Sequence, residues 1–258
     1  MISLAQGLLG VGSGSLVGFS LGLVGGGGSI LAVPMMVYLV GVGSPHIAIG
    51  TSAVVVAVNA AASLIGHARH GTVKWPCAIV FAGAGIAGAA IGSLLGKMID
   101  GQKLLVLFAA LMMVIGALML RGRTGEGDST VRMGRDNLPA LMGLGLASGA
   151  LSGFFGIGGG FLIVPALMLA TGMPILNAVG SSLVAVMAFG TTTAASYAFS
   201  GLVDWTLAAI FIAGGMIGSL AGGKAATLLA GKRGALNGIF AAVIFAVAIY
   251  MLLRSISL

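Results

Sequence analysis

Charged residues are scarce in this chain. Only 7% of its 258 residues are Asp, Glu, Lys or Arg, whereas soluble domains average about 25%. Hydrophobic residues make up 59% and the mean hydropathy is +1.17, and a soluble core of this size could not bury so much apolar surface. The composition therefore predicts an all-α polytopic membrane protein and excludes a soluble globular domain.

Cysteine is nearly absent, and no acidic residue lies inside an apolar segment. The single cysteine, Cys77, excludes an internal disulfide and a multi-cysteine metal site, and we interpret it as a small apolar residue at a helix start. The five carboxylates lie in loops or at segment ends, so none is placed mid-membrane to relay protons or hold sodium. They are Asp100, Glu126, Asp128, Asp136 and Asp204.

The net charge of +7 does not indicate nucleic-acid binding, because all twelve basic residues lie in loops or at the C-terminus of an apolar chain. In that setting basic residues are a topology signal. We expect membrane lipid as a partner and no nucleic acid, and we assign interfacial roles to His67 and His70. The N-terminus lacks the basic region of a signal peptide, so 4–24 is expected to remain as a transmembrane helix.

Glycine is abundant, at 46 of 258 residues, against a usual ~7%. In the first apolar segment Gly10, Gly14, Gly18 and Gly22 recur every four residues. This spacing places them on one helix face and predicts close packing against a second helix backbone. A later segment repeats the spacing at Gly88, Gly92 and Gly96.

A hydrophilic stretch, 121–137, divides the chain. It holds four arginines and three acids, and we predict an exposed linker between a first transmembrane repeat, 1–120, and a second, 138–258. The apolar segments of the first repeat cover 4–24, 29–41, 46–66, 76–96 and 104–120. As a helix the second of these rises only ~20 Å, against a hydrocarbon core of ~30 Å. It either re-enters or relies on the glycines before it to complete a crossing.

The two halves match residue by residue at an offset of 130 or 131 positions. Pro34 corresponds to Pro165, and Gly50-Thr51-Ser52 corresponds to Gly180-Ser181-Ser182. This internal duplication predicts two homologous halves built from short, glycine-broken helices, with about 8–10 membrane segments in all. The turn at Gly71, Val73 and Trp75 likewise recurs as Gly201, Val203 and Trp205.

Loop charges favour an inverted repeat. If the short segments cross the membrane, the twelve basic residues divide nine to three between its two sides, and if they re-enter the division is seven to five. The positive-inside rule favours the first division. We therefore expect opposite orientations of the two halves and both termini outside, while the short length of 29–41 leaves the re-entrant alternative open.

A glycine run precedes the short segment in each half. A helix N-terminus there offers free N–H groups and about half a positive charge, which glycine lets an anion approach. Inverted repeats with broken helices bind substrate near the membrane midplane, so we predict a small-anion site there, with no catalytic residue, metal or cofactor. Hydroxyls among these residues could instead bond their own helix backbone. The predicted substrate-binding residues are Gly25, Gly26, Gly27, Gly28, Ser29, Thr51, Ser52, Asn59, Gly156, Gly158, Gly159, Gly160, Ser181, Ser182 and Thr192.

As a duplicated set, the run Gly25–Pro34, the helix start Gly50-Thr51-Ser52 and the turn Gly71–Trp75 resemble the TauE/SafE family. These are sulfite-exporter-like permeases, also called the four-toluene-sulfonate uptake permease family. The resemblance covers nearly the whole chain. It implies a carrier in the bacterial inner membrane for sulfite, organosulfonates such as sulfoacetate, or related sulfur anions.

The favoured function is export of small sulfur-containing anions by secondary transport. With a negative cell interior, moving one negative charge outward gains ~2.3 kcal/mol per 100 mV. Import of a sulfur compound and transport of another small solute are alternatives. An enzyme is disfavoured, because no nucleophile with a base and no metal cluster is present. A purely structural protein is disfavoured, because the duplicated glycine breaks have no purpose in a scaffold. The glycine-lined faces would permit a homodimer, and the sequence leaves the anion, the direction and the coupling ion open.

Overall fold

The structure, a computed structural model, describes residues 4–24, 29–121, 134, 136–228, 245, 247–251 and 253, and every regular element among them is a helix. The predicted all-α fold is confirmed. The main elements are α1 Leu4–Val24, α2 Ala32–Pro34, α3 Pro45–Arg69, α4 Trp75–Met98, α5 Gly101–Arg121, α6 Leu138–Phe155, α7 Gly160–Thr171, α8 Ile175–Ala198 and α9 Trp205–Leu228. Helix α2 continues into a π-helical turn, Met35–Leu39.

Within the described residues six helices, α1, α3, α4, α6, α8 and α9, are long and apolar enough to cross a membrane. In α3, for example, 25 residues rise about 37 Å, which exceeds a hydrocarbon core of about 30 Å. A helix bonds its own backbone groups, as a lipid environment demands. The prediction of a multi-pass membrane protein is therefore confirmed. Most of the predicted linker 121–137 lies outside the described residues.

Helices α1 and α9 pack with their backbones in contact. A Cβ placed on Gly14 would lie 2.8 Å from the Cα of Phe211, and one placed on Gly18 would lie 2.6 Å from the Cα of Gly215. Carbon atoms in contact are about 3.5–4.0 Å apart, so only glycine permits this approach. The close packing predicted from the four-residue glycine spacing is confirmed.

Helices α6 and α4 pack in the same way. A Cβ on Gly149 would lie 2.7 Å from the Cα of Gly85, and one on Gly153 would lie 2.8 Å from the Cα of Ala89. The first of these pairs is the repeat counterpart of the Gly18 contact in the other half. Each half therefore packs one helix against the other half, through equivalent positions of the duplicated sequence. Because residue numbers rise together along both contacts, α1 is parallel to α9 and α6 is parallel to α4.

Helix α8 also runs parallel to α4. A Cβ on Gly85 would overlap the ring of Phe189, and farther along both helices the Lys97 Nζ donates a hydrogen bond to the carbonyl of Ser196 at 3.0 Å. Since α6 and α8 both run with α4, they run in the same direction. The chain between them, 156–174, must therefore return toward the end at which α8 begins.

The central pair of helices, α3 and α8, is antiparallel. Near one end, a Cβ on Gly50 would lie 2.9 Å from the Cβ of Tyr197, and toward the middle a Cβ on Gly190 would lie 3.1 Å from the Cβ of Ala57. These two helices correspond to each other in the duplicated sequence. They form the centre of the molecule, against which the other helices pack.

Candidate functional site

The second glycine run forms a tight turn between α6 and α7. Gly156, Gly158 and Gly159 have φ angles of +66°, +65° and +65°, a region that glycine enters without steric cost. Gly156 ends α6, where its N–H donates to the carbonyl of Ser152 at 2.9 Å, and Gly159 is the N-cap of α7. The local backbone therefore requires the glycines that the sequence places here.

This turn is buried at mid-height between the two central helices. A Cβ on Gly158 would lie 2.6 Å from the Cγ1 of Val56 and 3.2 Å from the Cγ1 of Val186. Both valines lie within a residue of the middle of their helices, α3 and α8. All residues from 156 to 160 are buried. The turn therefore reaches the level at which a membrane-spanning α3 would meet the bilayer centre.

The N-terminus of α7 opens onto the turn. Hydrogen bonding within α7 begins with the N–H groups of Leu162 and Ile163, which both donate to the carbonyl of Gly159 at 2.9 and 3.1 Å. The N–H groups that precede them, at Gly160 and Phe161, belong to the set that a helix N-terminus leaves for an outside acceptor. With 12 residues, α7 is long enough to place a partial positive charge at this end.

Ser152 was not among the predicted residues, yet the structure places it at the turn. Its side chain is fully buried, and its hydroxyl has no hydrogen-bond partner among the described residues. A Cβ placed on Gly159 would lie 3.0 Å from the Ser152 Oγ. The sequence offered one signal, since Ser152 lies four residues before Gly156 and therefore one turn earlier on the same helix face. A serine in an apolar helix usually bonds its own backbone, which hides such a residue from sequence reasoning.

Two predicted hydroxyls join the halves. The Thr51 Oγ1 accepts a hydrogen bond from the N–H of Asp204 at 2.9 Å, and the Ser181 Oγ accepts one from the N–H of Lys74 at 2.9 Å. Thr51 corresponds to Ser181 in the repeat, and Lys74 corresponds to Asp204. Each hydroxyl therefore satisfies a backbone donor in a loop of the opposite half.

Three other predicted hydroxyls bond to carbonyl groups. The Ser52 Oγ lies 2.9 Å from the carbonyl oxygens of Ile49 and Gly156, which ties α3 to the glycine turn. Ser182 donates to the carbonyl of Val179 at 2.8 Å, and Thr192 donates to that of Ala188 at 2.9 Å. The hydroxyls of Thr192 and Ser182 thus bond the backbone of their own helix, which is the alternative that the sequence left open.

Asn59 is fully buried in α3, and neither atom of its amide has a hydrogen-bond partner among the described residues. It lies against α9, where a Cβ on Gly215 would overlap the amide. Its repeat counterpart is Phe189, so the duplicated halves differ here in polarity. An unpartnered buried amide costs about 1–3 kcal/mol, and such groups call for an explanation in function or in an unseen partner.

The structure brings together Ser52 and the second glycine run, and it leaves Thr192 and Asn59 on separate helices. Ser29 is fully buried. Contact of any of these residues with a substrate stays a prediction. The predicted residues Gly25, Gly26, Gly27 and Gly28 lie outside the described part of the chain.

Comparison with known proteins gives the family. The family described as "Sulfite exporter TauE/SafE" matches residues 3–251. A protein of Xylella fastidiosa (strain Temecula1) named "Probable membrane transporter protein" is 54% identical over 250 residues, which are 95% of this chain and 94% of that protein. YunE of Bacillus subtilis (strain 168), with the same description, is 29% identical over 221 residues, covering 78% of this chain and 81% of YunE. No solved structure matches the chain. The chain therefore belongs to the sulfite exporter TauE/SafE family, as its duplicated motifs indicated.

Proposed function

We propose that this protein is a secondary transporter that exports small sulfur-containing anions, such as sulfite or sulfoacetate, across the bacterial inner membrane. The observation that carries the proposal is the turn at 156–159, which is buried at mid-height between α3 and α8 and leads into the N-terminus of α7. The description of the family supports a sulfur anion as the substrate, and the names of the relatives support a transport function.

Backbone dipoles would supply the positive potential for the anion. At the turn, glycine leaves no side chain between a ligand and the N–H groups of α7. Away from water the partial charge of a helix terminus acts more strongly than on a protein surface, because the effective dielectric constant is lower. A dipole binds an anion less tightly than a buried ammonium would, and this favours release on the opposite side of the membrane.

We propose further that the halves 1–120 and 138–258 insert with opposite orientations. Two features support this arrangement: the repeat-related helices α3 and α8 are antiparallel, and 156–174 returns between the parallel helices α6 and α8. A short segment that crosses gives each half an odd number of crossings. The second half would then begin on the side opposite to the first, with 121–137 in the cytoplasm and both termini outside.

The proposal is tested by flux in liposomes that contain the purified protein and a potassium diffusion potential. Radiolabelled sulfite and sulfoacetate should accumulate on the positive side. For one net negative charge the equilibrium ratio should rise about tenfold per ~60 mV, because 100 mV is worth ~2.3 kcal/mol per charge. Protein-free liposomes are the control.

The alternatives give different outcomes in the same assay. Sulfite flux that does not depend on the membrane potential but depends on a proton gradient would favour coupled import over export. Flux of acetate or another solute in place of the sulfur anions would overturn the substrate class.

A further inference from the structure

An unpartnered hydroxyl lies beside the N-terminus of α7. Ser152 is 0% exposed and its Oγ has no hydrogen-bond partner in the part of the chain that the structure describes. Its side chain packs against Gly159, the N-cap of α7: a Cβ placed on Gly159 would lie 3.0 Å from the Ser152 Oγ and 2.6 Å from the Ser152 Cβ. A buried hydroxyl without a partner is unfavourable, so this position calls for an explanation.

The groups around Ser152 need an acceptor. The N–H groups at the start of α7 can only donate, and the hydroxyl proton of Ser152 has no acceptor. The neighbouring carbonyl of Ser152 is already bonded to the N–H of Gly156 at 2.9 Å, and that of Gly159 accepts from α7. A ligand with one negative charge and two or more oxygen atoms could accept from the hydroxyl and from the backbone together.

The other half lacks this hydroxyl. At the offset of 131 residues that relates the two glycine runs, Ser152 corresponds to Leu21. Leu21 is buried and apolar, so α1 presents no donor at the equivalent place. The duplicated halves therefore differ at the position next to the glycine run.

We propose that Ser152 is a substrate-binding residue that donates a hydrogen bond to one oxygen of the transported oxyanion while the N-terminus of α7 binds a second oxygen. The inference rests on the proposed function, because it names the side-chain donor of the same site. It specifies an anion with at least two oxygens on one centre, as in sulfite and sulfonates. The second half supplies the stronger part of the site.

The test measures the affinity of the detergent-purified protein for sulfite, sulfoacetate and acetate by calorimetry. The variants are Ser152→Ala and Ser152→Cys, with Ser93→Ala as the matched control. Ser93 is also 0% exposed in a membrane helix, but its hydroxyl donates to the carbonyl of Ala90 at 2.9 Å. Cysteine preserves the shape of serine but donates weakly, so it separates a hydrogen-bonding role from a packing role.

We expect Ser152→Ala and Ser152→Cys each to weaken sulfite and sulfoacetate binding about tenfold or more, since hydrogen bonds to charged groups are the strong ones. Ser93→Ala should bind as the natural protein does. Equal affinity of the Ser152→Ala and Ser93→Ala variants would overturn the inference and leave the proposed function standing, and so would natural affinity in Ser152→Cys.

Two further outcomes bear on the proposed function as well as on Ser152. Ser152-dependent binding of acetate without binding of sulfur anions would support the oxyanion donor and overturn the proposed substrate class. Binding of none of the three anions would overturn both.

Discussion

The backbone contact between α4 and α6 allows a sharp prediction for Gly149→Ala. The added Cβ would lie 2.7 Å from both the Cα and the carbonyl carbon of Gly85, whereas carbon contacts are favourable at about 3.5–4.0 Å. Backbone atoms cannot rotate away as a side chain can, so the two helices must separate by about 1 Å. Overpacking of this kind costs about 1–3 kcal/mol, and we expect the free energy of unfolding to fall by that amount.

The single cysteine provides the assay. Cys77 is buried, so a thiol-reactive dye reports unfolding of the purified protein as temperature rises. The midpoint for Gly149→Ala should drop by about 2–4 °C for each kcal/mol lost. Gly18→Ala, the repeat counterpart on α1, should behave alike because its Cβ would lie 2.6 Å from the Cα of Gly215.

A matched control lies on the same helix. Gly143 is also in α6, but its added Cβ would have no atom within 4 Å. Alanine there should leave the midpoint unchanged or raise it slightly, since alanine favours helix over glycine by about 1 kcal/mol. If Gly149→Ala were as stable as Gly143→Ala, the account of backbone contact between the halves would be refuted.

Two further predictions concern the bonds between the halves and the topology of the chain. Thr51→Val removes the acceptor of the Asp204 N–H at 2.9 Å, so it should lower the free energy of unfolding by about 1 kcal/mol. Ser181→Ala should lower it by a similar amount, because it removes the duplicate bond. If both variants unfold at the same temperature as the natural protein, these bonds do not stabilise the contact between the halves. For the topology, a reporter that is active only in the cytoplasm should work when inserted in 121–137 and fail after Leu258, and activity after Leu258 would contradict outside termini.

The positions of the long helices were predictable because their apolar runs exceed the membrane thickness, but their ends were not. The segment predicted as 46–66 is helical from Pro45 to Arg69. Backbone hydrogen bonding continues past the apolar run, because His67 and Arg69 can carry their polar ends to the interface while remaining helical. At α5 the side chain of Asp100 accepts from the N–H of Gln102 at 3.0 Å, which starts that helix three residues earlier than hydropathy indicates.

The backbone of the candidate site was predictable and its side chains were less so. A glycine run before a short apolar segment indicates a break, because positive φ angles favour glycine. The partners of hydroxyls depend on tertiary packing: Thr51 accepts a bond from the opposite half, Thr192 bonds its own helix, and Ser152 bonds neither. All three look alike in sequence, as polar residues in apolar runs.

The most direct test of the central claim, that the turn before α7 holds the transported anion, compares sulfite flux in Gly158→Ala and Gly172→Ala. Both glycines have positive φ, +65° and +71°, so both variants carry similar backbone strain. Only at Gly158 does the added Cβ meet a neighbour, 2.6 Å from the Cγ1 of Val56, whereas at Gly172 nothing lies within 4 Å.

With both variants inserted and equally folded by the thiol assay, we expect flux to fall about tenfold or more in Gly158→Ala, a loss equivalent to about 1.4 kcal/mol. Flux should persist in Gly172→Ala. Equal flux through the two variants would contradict the account and remove the glycine turn from the transport path.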